Sequence, residues 1–191
     1  MEAYLNSSKE AVMSQNKPIH DKWSILKPLF TPLEVPAKTV LLAEGSLSKK
    51  MFFVEKGCLR TWVNSNGKDI TTQFFFEGDG VSSIESFMTN KPSLYTIESM
   101  EPCMLQVITQ KDFQDTLNNS QQLRDQMLEH LYTRLLKSQQ IFFSYLKNTP
   151  QQRYEELLAK HPEVVQRIPQ HYIASYLGIT SVSLSRIRNR R

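Results

Sequence analysis

The sequence predicts an α+β chain: an antiparallel β sandwich or roll, then one long helix, then two short helices joined by a tight turn. Three observations carry this. Short β-rich runs broken by turn residues fill the stretch from about Lys22 to Val107, a helical period without proline or glycine replaces them from about Thr109, and residues 169–191 set a small-residue helix against a glycine and an arginine-rich helix.

The β region reads as TVLLAEG, MFFVEKG, CLRTWVNSNG, KDITTQFFFEGDG, LYTIESME and CMLQVIT. Strands at roughly 8- to 12-residue spacing are the pattern of an antiparallel sandwich or roll. Ser65-Asn66-Gly67 reads as a hairpin turn, because asparagine followed by glycine accepts the positive φ angles of a tight two-residue connection. Gly45, Gly57 and Gly78 each close a strand-like run.

In the helical stretch, Leu128, Leu131, Leu135, Phe142 and Leu146 recur near a three-four spacing, interrupted by Ser138, which predicts a long amphipathic helix beginning near Ser120. This stripe is expected to pack on its own domain. A second stripe, Met127, Tyr132, Leu136 and Phe143, is expected to stay partly exposed, and a parallel dimer seam would cover it. Pro150 ends the helix, and Pro162 breaks the short helical unit that follows. Pro169 starts a helix with Ile173, Ala174 and Leu177 inward; Gly178 turns the chain, and Thr180 caps a second helix with Leu184 and Ile187 on its core side. This is a helix-turn-helix pattern, whose second helix presents polar groups to a DNA major groove.

Composition narrows the function classes. With 191 residues, 40% apolar and 22% charged, the chain can bury a normal core. No apolar run approaches the roughly 20 residues of a membrane span, and the opening MEAYLNSSKEAVMSQ lacks the apolar centre of a signal peptide, so the expected location is the cytoplasm with no membrane partner. Cys58 and Cys103 are expected to be buried thiols. His20, His130, His161 and His171 all lie outside the strands, so no histidine and carboxylate cluster for a metal is expected there. No nucleophile with a histidine partner is visible either, and the reading is of no enzyme, no metal and no cofactor. Net charge is only +4, but the final six residues, RIRNRR, hold four arginines and no acid, which suits a phosphate partner.

From about residue 22 the chain resembles the Crp/Fnr family of bacterial transcription regulators. The residues that carry the resemblance are LLAEG, MFFVEKGCLR and GKDITTQFFFEGD, the stretch from Glu85 to Thr96, and IPQHYIASYLGITSVSLSRIR. The resemblance implies a cyclic-nucleotide-binding-like β-roll of the double-stranded β-helix or jelly-roll kind over 22–118, a dimerisation helix over 119–148 and a helix-turn-helix DNA-binding domain over 149–191, without the β-hairpin wing that many members carry beyond it; residues 1–21 are expected to form an N-terminal helical extension. It further implies a homodimer reading a two-fold-related site on double-stranded DNA, with RNA polymerase and an unidentified small-molecule effector as candidate partners. The alternative is a sensor or interaction protein of the same fold whose DNA reading is weak or lost.

Departures from the family pattern bear on the effector. Members that bind cyclic AMP carry a glycine-glutamate pair and, further on, an arginine followed by serine or threonine. Here Glu85 and Thr96 match the glutamate and the hydroxyl, but Ile84 and Tyr95 stand at the glycine and arginine positions. Tyrosine supplies neither the charge nor the bidentate fork that neutralises a buried phosphate, so Glu85, Tyr95 and Thr96 are the effector-pocket candidates and cyclic AMP is expected to bind weakly or not at all. A roll filled by its own Phe74, Phe75, Phe76 and Tyr95, with no ligand, is a third expectation. Among family positions facing DNA, Arg186 is the candidate for a bidentate contact to guanine, Val182 for a thymine methyl, and Ser181, Ser183 and Ser185 for phosphates or base edges. Arg188, Arg190 and Arg191 are the candidates for phosphates and Gln170 and His171 for further backbone contacts, with the capping Thr180 also counted among the DNA-binding residues.

Overall fold

A computed structural model describes residues 23–189. The expected helical extension over 1–21 and the candidate Arg190 lie outside the described residues. A 3₁₀ turn (Ser24–Leu29) leads into eight strands among the described residues: β1 (Thr31–Val35), β2 (Val40–Leu42), β3 (Lys50–Lys56), β4 (Leu59–Ser65), β5 (Lys68–Phe75), β6 (Gly80–Val81), β7 (Thr96–Ser99) and β8 (Cys103–Thr109). A short helix α1 (Ile84–Thr89) interrupts them, and six more helices follow: α2 (Gln110–Asn119), α3 (Gln121–Lys147), α4 (Pro150–Lys160), α5 (Glu163–Arg167), α6 (Gln170–Tyr176) and α7 (Ser181–Asn189).

The strands form two four-stranded sheets, in the orders β1-β8-β3-β6 and β2-β7-β4-β5. In the first, β8 runs antiparallel to both β1 and β3, setting Val107 opposite Thr31 on one side and Phe52 on the other. Alternation along β8 sends Cys103, Leu105 and Val107 inward and leaves Met104 exposed. The inward residues join Leu42, Phe52, Val54, Leu59, Phe75, Val81 and Ile97 in one core. Strand β3 is covered on both faces, because Phe53 packs against the rings of Trp23 and Phe30 at 5.8 and 4.9 Å. That is why MFFV reads as a continuous apolar run instead of an alternating one.

The chain packs as two units, one from 23–59 with Phe75–Arg124 and one from Arg60–Phe74 with Asp125 onward. The β4–β5 hairpin thus packs with the C-terminal helices. At its tip Asn66 and Gly67 take φ values of 54° and 78°, the positive pair of a type I′ turn, as the sequence predicts. The break between α2 and α3 falls at Ser120, whose hydroxyl accepts from the Leu123 N–H, so the long helix begins where the periodicity placed it. Thr149 and Gln152 form a capping box with Pro150 in the first turn of α4, which separates it cleanly from α3. Both cysteines are buried thiols with no disulfide between them.

Three differences from the sequence reading stand out. Strand β1, the 3₁₀ turn and α1 carry no strong periodic signal and were not anticipated. The stripe expected to pack on its own domain is instead exposed, from 38% for Leu131 to 66% for Leu146, with Tyr132, Leu136 and Phe143, while Met127 from the other stripe is buried. Finally, Phe74 does not fill the roll. Successive strand residues face opposite ways, so Phe75 enters the core while Phe74 meets the Tyr176 ring of α6 at 5.5 Å.

Gly57, in the tight connection from β3 to β4, has φ of 106°, and an added Cβ there would lie 2.6 Å from the Cys103 Sγ and 2.9 Å from the Pro102 carbonyl oxygen. Gly45 has a comparable φ of 82° with open space around it. The Gly45→Ala variant is expected to lose about 1–2 kcal/mol of stability from backbone strain alone, and Gly57→Ala at least about 1 kcal/mol more because the methyl overpacks against main chain. Urea unfolding of both variants checks this, and equal losses would contradict it.

Candidate functional site

The C-terminal helices build a rigid turn from local chemistry. Pro169 precedes α6, where its missing N–H costs nothing, and its carbonyl accepts from the Tyr172 N–H. At the other end of α6, Gly178 adopts φ of 67°; its N–H donates to the Ser175 carbonyl and the Ile179 N–H to the Ala174 carbonyl, the paired bonds of a Schellman motif. Thr180 then caps α7, its Oγ1 accepting from the Ser183 N–H at 3.2 Å with the Ser183 hydroxyl 3.0 Å away. Ile173, Ala174, Leu177 and Leu184 are buried between the helices, as expected. Alanine at position 174 leaves room for the close crossing.

This packing presents one face of α7 outward. Ser181, Val182, Ser185 and Arg186 are exposed, Ser183, Ile187 and Arg188 are half-buried, and Gln170 and His171 are exposed at the start of α6. The hydroxyls of Thr180 and Ser183 are occupied in the cap, so of the serines on this helix those of Ser181 and Ser185 are the ones that face out. Arg186 borders a groove of about 400 Å³ that also runs past Ser183, Ile187, Ile179 and the Thr149-Pro150-Gln151 start of α4. Sequence reading missed Thr149 and Gln151 as neighbours of this face, since they lie far from α7 along the chain. Arg186 and Arg188 sit in the last turn of α7, where the helix dipole favours positive charge.

Arg153 ties this assembly to the end of α3. Its guanidinium donates to the carbonyls of Asn148 at 2.8 Å and Leu177 at 2.9 Å and lies over the Tyr145 ring at 4.7 Å. The Tyr145 hydroxyl donates to the Tyr176 carbonyl. Burial raises the pKa of Tyr145 against the opposing pull of Arg153, and burial, then Tyr145 and Glu156, push Tyr176 up to about 12. Both phenols therefore remain neutral through the physiological range.

The three effector-pocket candidates are placed differently from one another. Tyr95 packs against the roll core and its hydroxyl donates to the Ser82 carbonyl at 2.9 Å. Thr96 is buried and its Oγ1 accepts from the Glu44 N–H at 3.0 Å. Glu85, by contrast, stands on the first turn of α1 with its side chain 51% exposed and Lys91 at 3.9 Å, so it faces solvent while Tyr95 packs on the core. Among the described residues no group of three or more histidine, cysteine or carboxylate side chains is placed to hold a metal, and no helix is long and apolar enough to cross a membrane.

Residues 32–120 match the cyclic nucleotide-binding domain family. No curated protein sequence matches the chain significantly. Solved structures with the same fold include FixK2 from Bradyrhizobium japonicum, with a TM-score of 0.73 at 14% identity over 84% of this chain and 83% of that one. The c-di-GMP responsive global regulator CLP of Xanthomonas campestris gives 0.71 at 14% identity, over 88% and 89% of the two chains. A putative transcriptional regulator of the Crp/Fnr family from Eubacterium rectale gives 0.70 at 17%, over 88% and 81%.

If Tyr95 is a structural plug of the roll, Tyr95→Phe should destabilise the protein by about 1 kcal/mol through its lost hydrogen bond. Urea unfolding measures this, and an unchanged midpoint would show that the hydroxyl contributes nothing.

Proposed function

We propose that this chain, whose residues 32–120 match the cyclic nucleotide-binding domain family and whose fold is similar to that of Crp/Fnr transcription regulators, is a homodimeric DNA-binding regulator whose roll does not take cyclic AMP. The observation that carries the reading is the exposed face of α7: Ser181, Val182, Ser185 and Arg186 stand clear of the core on a helix locked at its start by Thr180 and at its base by Leu184. That is what major-groove reading requires of a second helix. Arg186 suits a bidentate contact to guanine and Val182 a thymine methyl, while Arg188, Arg190 and Gln170 suit phosphates.

The homodimer rests on α3. Leu128, Leu135 and Phe142 fall on one heptad position and Leu131 and Tyr145 on another, all exposed in the single chain. An a/d seam of this kind is buried by a second copy of the same helix, in parallel. In a two-fold dimer the two α7 helices would enter successive major grooves, about 34 Å apart on the duplex.

The effector reading follows from Tyr95. Where a bound cyclic phosphate would need an arginine, a neutral phenol is hydrogen-bonded to main chain, and Glu85 faces solvent. The protein so built is a cytoplasmic regulator whose roll keeps its shape through its own side chains.

Two outcomes test these roles. Arg186→Ala should relax preference at one base pair of the bound duplex, costing about 1–3 kcal/mol there, whereas Arg190→Ala should weaken all duplexes alike and flatten the salt dependence; fluorescence-anisotropy titrations on a set of singly altered duplexes separate the two, and identical profiles would sink the assignment. Titration calorimetry with cyclic AMP and cyclic GMP should give no micromolar binding, and a micromolar isotherm with either would overturn the effector reading.

A further inference from the structure

We infer that Arg60, on the β4–β5 hairpin, is a positioning residue for the reading helix, acting through α6; the inference rests on the DNA-reading role proposed above. Arg60 is 1% exposed although it sits on a hairpin whose tip is in solvent. Its guanidinium lies 4.1 Å from the ring centroid of Tyr172 on α6 and 5.2 Å from that of Trp62. Nη1 donates to the Thr71 hydroxyl at 3.2 Å, and Nη2 reaches the Asp69 carboxylate, itself 43% exposed, at 3.4 Å. A buried guanidinium is costly unless its faces and edges are occupied. Here the Tyr172 face comes from a residue more than a hundred positions away in sequence, so withdrawing α6 uncovers a charge that the hairpin cannot satisfy in the same way.

Two further contacts on the same face of α6 act in register. Ser175 Oγ accepts from the Thr71 N–H at 3.0 Å and donates to the Asp69 carbonyl at 2.9 Å. Strand β5 lies at the edge of its sheet, and Ser175 supplies partners for main-chain groups there. The Tyr176 ring meets Phe74. Tyr172, Ser175 and Tyr176 stand at i, i+3 and i+4, one stripe of a helix, while Ile173, Ala174 and Leu177 are buried. Arg153 and Tyr145 hold the carbonyls at the end of α6. With side chains gripped by the hairpin and its last carbonyls gripped from α3 and α4, α6 has one position, and α7 follows it through the Gly178 turn.

The clamp leaves the outward face of α7 uncovered, since Ser181, Val182, Ser185 and Arg186 are exposed with it in place. It therefore orients the reading helix and does not block it. Loosening it spreads α7 over placements of which only a fraction reads DNA, and affinity falls by that fraction.

The test compares Tyr172→Phe, which keeps the ring face, with Tyr172→Leu, which removes it, and Arg60→Lys, which keeps charge but not the planar fork; Ser175→Ala substitutes if the leucine variant fails to fold. Two readouts are taken on the full chain: amide hydrogen exchange at Thr71 without DNA, and affinity for specific and non-specific duplexes. Tyr172→Leu and Arg60→Lys should speed Thr71 exchange and lower specific affinity about tenfold or more, with non-specific affinity unchanged and Tyr172→Phe behaving as the parent. Leucine and phenylalanine variants that behave alike, unchanged Thr71 exchange in the leucine variant, or a gain in specific affinity would overturn the inference. A parent that discriminates no duplex overturns the DNA-reading role, and the exchange comparison still decides whether the clamp exists.

Discussion

The constraint on which the rest depends is the apolar surface of α3. A helix of 27 residues that exposes Leu128, Leu131, Leu135, Leu136, Phe142, Phe143 and Leu146 presents more hydrocarbon than a lone helix keeps in water. Its heptad spacing is what the proposed homodimer rests on, because a second copy of the same helix would cover it. Once two copies are joined along α3, everything anchored to its C-terminal end acquires a two-fold partner. Arg153, Tyr145 and the Thr149 cap tie the end of α3 to α4 and α6, so in the proposed dimer its geometry would pass to α6 and α7 with little slack.

In the proposed reading the roll holds its shape without a ligand. Its centre is occupied by side chains from both sheets, and Tyr95 is committed to the Ser82 carbonyl. A core so filled would, as proposed, leave a cyclic phosphate without the arginine that neutralises it. What the roll region lends to the C-terminal helices is its β4–β5 hairpin, which packs with them through Arg60, Thr71 and Phe74.

Local chemistry was legible in the sequence and distant chemistry was not. Asn66-Gly67, the Ser120 break, the Thr180 cap and the buried Ile173, Ala174, Leu177 and Leu184 all depend on neighbours within a turn or two, and the structure has each of them as read. Arg60 could not be read, because an arginine in an alternating strand looks solvent-facing and its burial depends on Tyr172, far along the chain. Phe74 and Phe75 looked equivalent in the run FFF, and only the strand's alternation between two different neighbours separates them. Glu85 matched by spacing alone, which says nothing of direction, and α1 turns it to solvent. The two α3 stripes are likewise distinguishable by period, but the period does not tell that in the single chain both stay exposed apart from Met127.

The central claim is that the chain, without any added ligand, reads DNA as a two-fold dimer. Selection of bound duplexes from a random pool by the purified, ligand-free protein at near-physiological salt, followed by sequencing, tests it most directly. The account predicts an enriched motif with two-fold symmetry and half-sites one helical turn apart, about 34 Å centre to centre. Recovery of only salt-sensitive binding with no enriched motif would contradict it.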